Sequence, residues 1–144
     1  MQHAAVYLRS NGYFLHSDSQ ATSGVWMASP PFLTLPPNVS ADSLGQAVLD
    51  VLSASKRGVA HPLDWDKVEF PLPEMAGVKS WAQFIKGSRC VTVVQQDGTI
   101  QFRPSANRGA DEGFTPHATA VEISTQSDSK AVATALVVAL ERCE

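Results

Sequence analysis

The dipeptide Asp97-Gly98, set between two runs rich in β-branched residues, constrains this chain more than any other feature. A two-residue hairpin turn of type I′ needs positive φ at both central positions, which Asp tolerates and Gly adopts freely. Arg89 to Gln96 and Thr99 to Arg103 are therefore expected to be paired antiparallel strands. In the first of them Val91 and Val93 project to one face and Thr92 and Val94 to the other, as in a central strand with a helix behind it. Just upstream, Ser80 can cap a turn in which Trp81, Phe84 and Ile85 share one face through i, i+3, i+4 spacing, with Gly87 to end it. A short buried helix near 81–86 follows.

The chain opens with a second hairpin: Ala4 to Arg9 alternates, Asn11-Gly12 offers another type I′ turn, and Tyr13 to His16 returns. Ser17 to Ser23 is small and polar, which suggests a loop. Val25 to Ala28 and Phe32 to Leu35 suggest extended pieces, interrupted by Pro30-Pro31 and closed by Pro36-Pro37, and prolines place such pieces at bends or a sheet edge. Ser40 is a good N-cap, and Leu44, Ala47, Val48, Val51 and Leu52 recur at helical spacing, so one amphipathic helix is expected over about 41–56. Lys56 and Arg57 suit its negative end and Gly58 its left-handed terminus. Prolines at 62, 71 and 73 forbid a long helix between Val59 and Val78, where Lys67 to Phe70 could be extended. Ser105 to Phe114 has the composition of a loop, Ala118 to Ser124 alternates as a strand, and Ser127 or Asp128 caps a final helix over about 129–143.

The expected fold class is α+β. A mostly antiparallel sheet, built from two β-hairpins plus additional strands, packs against two amphipathic helices and the short helix near 81–86, in a single domain spanning 1–144. Leu33-Thr34-Leu35 before one capped helix parallels Val121-Glu122-Ile123 before the other, each after a hairpin with a Gly-containing turn. Such a recurrence fits one unit used twice, or simply the frequency of hairpins and capped helices, since the halves share negligible identity.

Composition narrows the partners. A net charge of −3 argues against broad attraction to phosphate backbones, so direct nucleic-acid binding is not expected whereas a basic protein is an allowed partner. No run approaches the roughly 20 apolar residues that span a bilayer, and the N-terminal MQHAAVYLRSNGYFL has an Arg and a turn where a signal peptide would be apolar, so a cytoplasmic location is expected. Cys90 and Cys143 are too few and too isolated for a disulfide scaffold or zinc site.

Catalytic signatures do not emerge. The glycines are scattered, no Gly-Lys-Ser/Thr follows a strand, no Ser sits in a nucleophile elbow, and His3, His16, His61 and His117 lack metal-ligand spacing, so no cofactor or metal is expected. His61 and His117 could in principle form an acid/base pair, but surface or partly buried histidines of no catalytic consequence are the better reading of both. The informative feature is charge: between His61 and Glu74 lie Asp64, Asp66, Glu69 and Glu74 against the single Lys67, with Trp65 and Phe70 interleaved. Carboxylates that steer encounter around an aromatic anchor make an interface for a basic protein. Equally, Trp65 and Phe70 could be core and the carboxylates a solvated rim. Asp111 and Glu112, in the Gly-flanked loop, form a second acidic candidate or a solvated loop tip.

The segments SWAQFIKG (80–87), VTVVQQDG (91–98) and the final ATALVVALERCE (133–144), together with the acidic Pro-rich stretch, resemble the immunity proteins of bacterial contact-dependent growth inhibition (CDI) systems, particularly small Burkholderia-type ones. The resemblance spans most of the chain as an order of elements and carries no invariant site residue. It implies a cytoplasmic, non-enzymatic protein that binds a cognate C-terminal toxin domain, often a nuclease, and blocks its active site or substrate surface. Asp64, Asp66, Glu69 and Glu74, with Asp111 and Glu112, would then pair with toxin Lys and Arg around a Trp65 anchor. The alternative is a small α/β ligand-binding domain or enzyme with a pocket between sheet and helices.

Overall fold

The computed structural model describes residues 1–144, in which eight strands and four helices follow one another. They are β1 (Gln2–Arg9), β2 (Gly12–Ala21), β3 (Trp26–Leu35), α1 (Ala41–Ser53), β4 (Arg57–Val59), α2 (Leu72–Met75), α3 (Trp81–Ile85), β5 (Arg89–Gln96), β6 (Thr99–Asn107), β7 (Phe114–Pro116), β8 (Val121–Ser124) and α4 (Ser129–Glu141). The sheet runs β3-β2-β1-β5-β6-β7, with β8 also on β6 and β4 parallel to β2. All other pairings are antiparallel.

The Asp97-Gly98 turn is as expected: both residues have positive φ, 54° and 78°, and Gln96 pairs with Thr99. β5 is central, flanked by β1 and β6. Asn11-Gly12 behaves differently. Arg9 pairs with Gly12, so the turn residues are Ser10 and Asn11, neither of which has positive φ, and Gly12 itself opens β2 at φ 139°. The glycine is required by a close approach, since a Cβ there would lie 2.3 Å from the Leu35 carbonyl oxygen. Asn11 turns its Nδ2 to the Ala76 carbonyl at 3.0 Å instead of serving as a left-handed turn residue.

Several boundaries differ from expectation for identifiable reasons. Ser17 to Ala21 is strand rather than loop, because Ser17 and Ser19 are small enough to face inward. Ser19 Oγ there meets Ser29 Oγ at 2.8 Å and accepts the Lys56 amide at 3.1 Å. β3 is continuous through the cis Pro30-Pro31 bond and occupies an edge, where missing donors are tolerated. Helix α1 ends at Ser53, three residues early, as the chain turns back into the sheet and Lys56 gives its carbonyl to Gln20 N (2.8 Å). Gly58, at φ 75°, lies inside β4 rather than at a helix terminus. Between β4 and α3, Lys67 to Phe70 is no strand: Trp65–Lys67 forms a 3-10 turn, and the four-residue α2 accommodates Pro73 in its first turn. Ser105 to Asn107 continue β6, and Phe114–Pro116 pair with them, which shortens the expected loop. β8 begins at Val121, Asp128 caps α4, and α4 ends at Glu141.

The expected α+β class holds. On one sheet face α1 and α4 lie side by side over Ala4, Val6, Leu15, Val91, Val93, Ile100 and Phe102. The helices approach so closely that Gly45 has no room for a side chain against the Ser129 backbone. Each helix follows a strand that joins the outer side of a hairpin: β1-β2-β3-α1 and β5-β6-β8-α4, with the two hairpins meeting along the β1–β5 ladder. The recurrence seen in the sequence is thus a topological repeat. Half of the opposite face is covered by the 70–86 segment, whose Leu72, Ala76 and Phe84 pack on Ala5, Tyr7, Phe14 and Cys90. Arg9 holds α3 down, its Nη1 donating to the carbonyls of Phe84, Gln83 and Lys86 with the guanidinium over the Phe84 ring.

Candidate interaction surface

The acidic segment leaves β4 and crosses the surface before reaching α2. His61 Nδ1 lies 2.7 Å from Ser23 Oγ, tying the segment to the β2–β3 turn, and the His61 ring stands edge-on to Trp65 at 5.6 Å. Asp64 caps the 3-10 turn by accepting the Asp66 amide at 3.0 Å. That cap fixes the direction of Trp65, which is 49% exposed and joins neither hydrophobic cluster. Asp64, Asp66, Glu69 and Glu74 are all exposed, and the last three carboxylates have no hydrogen bond or ion pair within the chain.

The structure separates the two aromatics that sequence left open. Phe70 belongs to the core, with the rings of His16 at 5.6 Å, Trp81 at 5.7 Å and Phe32 at 6.4 Å. Trp65 does not. Desolvating an indole contributes more to association than to folding when no internal partner awaits it. Phe70 also begins a row of rings that continues through Trp81 to Phe114 (6.3 Å) at the start of β7. Asp111 and Glu112 lie just before Phe114, both exposed, in a loop closed by Arg108 N to Gly113 O (2.8 Å) and Gly113 N to Gly109 O (2.7 Å). The two acidic groups therefore attach at opposite ends of one aromatic row.

Sequence reasoning passed over the β2–β3 end of the sheet. There His3 stacks flat on Trp26 (3.8 Å between centroids, 4° between planes), Val25 is exposed, and Leu63 is wholly exposed. The His3 pKa is lowered, chiefly by burial, with Asp18 pulling the other way and Arg103 and the N-terminal amine adding to the effect. No local signal marks this end, and Val25 to Ala28 has the pattern of an ordinary strand.

The histidines expected as an acid/base alternative do not converge. His61 bonds Ser23, while His117 Nε2 lies 3.4 Å from Glu144 Oε2 and its amide donates to Pro104. His16 is buried, with Nδ1 2.8 Å from the Ser17 carbonyl oxygen and 3.4 Å from Asp18 Oδ1, in a cage of Tyr7, Phe32 and Phe70. Burial pushes the Cys90 thiol and the Tyr7 hydroxyl well above their ordinary values, so both stay protonated. Space between sheet and helices is filled by a cluster of 18 buried residues. A groove of about 290 Å³ opens on the outside between α1 and α4, lined by Tyr13, Val39, Leu44, Ala133, Val137 and Val138 among others. No three His, Cys, Asp or Glu side chains gather as a metal site would need, and no helix is long and apolar enough to cross a membrane.

Known structures share this arrangement. A protein of unknown function from Neisseria meningitidis superposes with a TM-score of 0.84 at 20% identity, covering 99% of this chain and 95% of its own. A chain of the CdiA-CT/CdiI toxin and immunity complex from Yersinia pseudotuberculosis superposes with a TM-score of 0.79 at 18% identity, covering 99% and 97%. No curated relative matches the chain in sequence. At these identities the likeness is one of fold, and kinship comes from sequence: the family model CdiI, CDI immunity protein, matches residues 2–143. With the match running from the first strand to the end of the last helix, this chain belongs to the CdiI family of CDI immunity proteins.

Proposed function

We propose that this protein binds the C-terminal toxin domain of its cognate CDI system in the cytoplasm, and neutralises it by covering the active site or substrate surface without performing a chemical step. Membership of the CdiI family supports a toxin partner, and a relative of like fold occurs in a toxin and immunity complex. The observation that carries the reading is the exposed segment in which Asp64, Asp66, Glu69 and Glu74 surround a half-exposed Trp65 that no core requires. A surface of that kind suits a basic partner, and a nuclease grips the phosphate backbone of its substrate with lysines and arginines. Carboxylates would occupy the phosphate positions, Trp65 would be desolvated at the centre, and Asp111 with Glu112 would extend the acidic field.

The test is growth protection and calorimetry with charge reversal. Wild-type protein should protect cells producing the toxin domain encoded beside it, and the Asp64→Lys, Asp66→Lys pair should slow association and weaken binding by roughly tenfold or more, with a weaker salt dependence. Unchanged affinity in the double variant would remove the segment from the interface.

A further inference from the structure

The molecule has six large apolar side chains in the open, and their distribution is uneven. Met1, Val25, Leu63 and Trp65 lie at the end of the sheet where β1 begins and β2 turns into β3, whereas Met75 and Val137 stand alone on α2 and α4. Contacts between their neighbours hold the segments that carry them together, although Leu63 itself stands free of the rest of the chain. Ala21 N donates to Val25 O (2.8 Å) and Thr22 N to Val59 O (2.9 Å), which sets the residues after β4 beside the turn. Ser23 and His61 close the gap at 2.7 Å, and His61 carries Trp65 on its edge. On the other side of the turn Trp26 stacks on His3, whose Nε2 lies 3.1 Å from Met1 Sδ.

This assembly is not part of either hydrophobic core. Neither Val25, Trp26, Leu63 nor Trp65 joins the cluster under α1 and α4 or the one under α2 and α3, so two of the chain's three tryptophans lie outside both cores, each against a single histidine ring. An indole presents roughly 150–250 Å² of apolar surface, and Trp26, stacked flat on His3, is already oriented, so covering it costs less ordering entropy than covering a free side chain. Charge selects the partner. Asp64 and Asp66 stand on either side of Trp65 in sequence and neither is ion-paired within the chain, so the charge beside that indole is acidic, whereas around His3 the pull of Asp18 is opposed by Arg103 and the N-terminal amine.

We infer that this end of the sheet, composed of His3, residues 23–26 and residues 61–66, is a two-anchor docking surface for a basic loop of the toxin domain. The inference rests on the reading given under Proposed function and enlarges its acidic segment into a composite site. An arginine or lysine of the toxin lies over the open face of Trp65 with Asp64 and Asp66 beside it, so that cation–π attraction and a charge-assisted hydrogen bond act on one side chain. The Trp26–His3 stack and Leu63 receive the apolar flank of the same loop. Val25 and Leu63 bound the contact and exclude water from the charged pairs, where desolvation makes them selective.

The test combines hydrogen exchange with calorimetry, using the toxin domain encoded immediately beside this protein as the probe. Binding should protect amides of 23–26 and 61–66, and Trp26→Ala and Leu63→Ser should each raise Kd about tenfold or more, the cost typical of a central anchor. Leu63 touches neither core, so Leu63→Ser keeps the wild-type melting curve and separates docking from folding. Wild-type affinity in both Trp26→Ala and Leu63→Ser, with no protection at 23–26, overturns the composite site even if Asp64→Lys, Asp66→Lys still weakens binding and the acidic segment stands. Absence of any binding by the wild-type protein overturns both.

Discussion

Replacing Gly45 by alanine isolates the contact on which the helical layer depends. On helix propensity alone the change should stabilise, since alanine is favoured over glycine in a helix interior by about 1 kcal/mol. The structure predicts the opposite. A Cβ at Gly45 would fall 1.7 Å from the Ser129 carbonyl oxygen, 2.5 Å from its carbon and 2.9 Å from its Cα, all backbone atoms that no rotamer change can move. To restore even a 3.0 Å contact to the oxygen, the start of α4 must retreat by about 1.3 Å, the difference of the two distances. That displacement strains the Ser129 Oγ to Asp42 Oδ1 hydrogen bond (3.1 Å) and loosens Val132, Ala133 and Leu136, which are buried in the next two turns. Overpacking costs typically ~1–3 kcal/mol where side chains can yield, and backbone against backbone belongs at or above the upper end. A net loss of about 2 kcal/mol or more lowers Tm by roughly 5–10 °C in a domain of this size. Thermal and urea melts followed by far-UV circular dichroism read it directly. A Gly45→Ala protein as stable as wild type, or more so, would refute the close packing of α1 on α4.

Three further outcomes follow from the same geometry. Phe70→Ala should destabilise by about 2–4 kcal/mol because Phe70 closes the ring cluster of His16, Phe32 and Trp81, whereas Trp65→Ala should change stability by less than about 0.5 kcal/mol; equal effects in urea melts would show that the two aromatics have the same environment. Burial lowers the folded pKa of His3 below the ordinary histidine value of 6.5, so the unfolded chain takes up a proton that the folded chain refuses. Stability contributed by neutral His3 is complete above that value and declines as pH falls through it, with Asp18 partly offsetting and Arg103 reinforcing the effect; His3→Gln should flatten this part of the stability profile. Buried and kept protonated, Cys90 should resist iodoacetamide in the native protein and react on unfolding, while half-buried Cys143, which donates to the Cys90 and Ala139 carbonyls, should label first; native labelling of Cys90 at a comparable rate would contradict the packing.

Local backbone demands were legible in the sequence, and contacts made across the sheet were not. Asp97-Gly98, the Ser40 and Asp128 caps and the two apolar stripes each act within a few residues of themselves, so their spacing announced them. Ser19 looked like loop because its burial is licensed by a hydroxyl on β3 and an amide beyond α1, both distant in sequence, and Ser17 is buried with its hydroxyl unpartnered, which no local pattern announces. Asn11-Gly12 carried the letters of a type I′ turn, yet its glycine answers to Leu35, more than twenty residues away. The same limit divided Trp65 from Phe70: they lie five residues apart with similar neighbours, and only the position of the aromatic row decides that one is core. Charge patterning found the acidic segment because charge needs no partner to be recognised, but the His3–Trp26 stack joins residues whose proximity arises from the β1–β2–β3 register alone.

Titration of the purified protein with the toxin domain encoded beside it, by isothermal calorimetry at low and at physiological salt, measures the central claim directly. One-to-one binding in the nanomolar range is expected, weakening as salt rises because exposed carboxylates meet a basic surface. An absence of binding heat, together with failure to protect cells that produce the toxin, would contradict it.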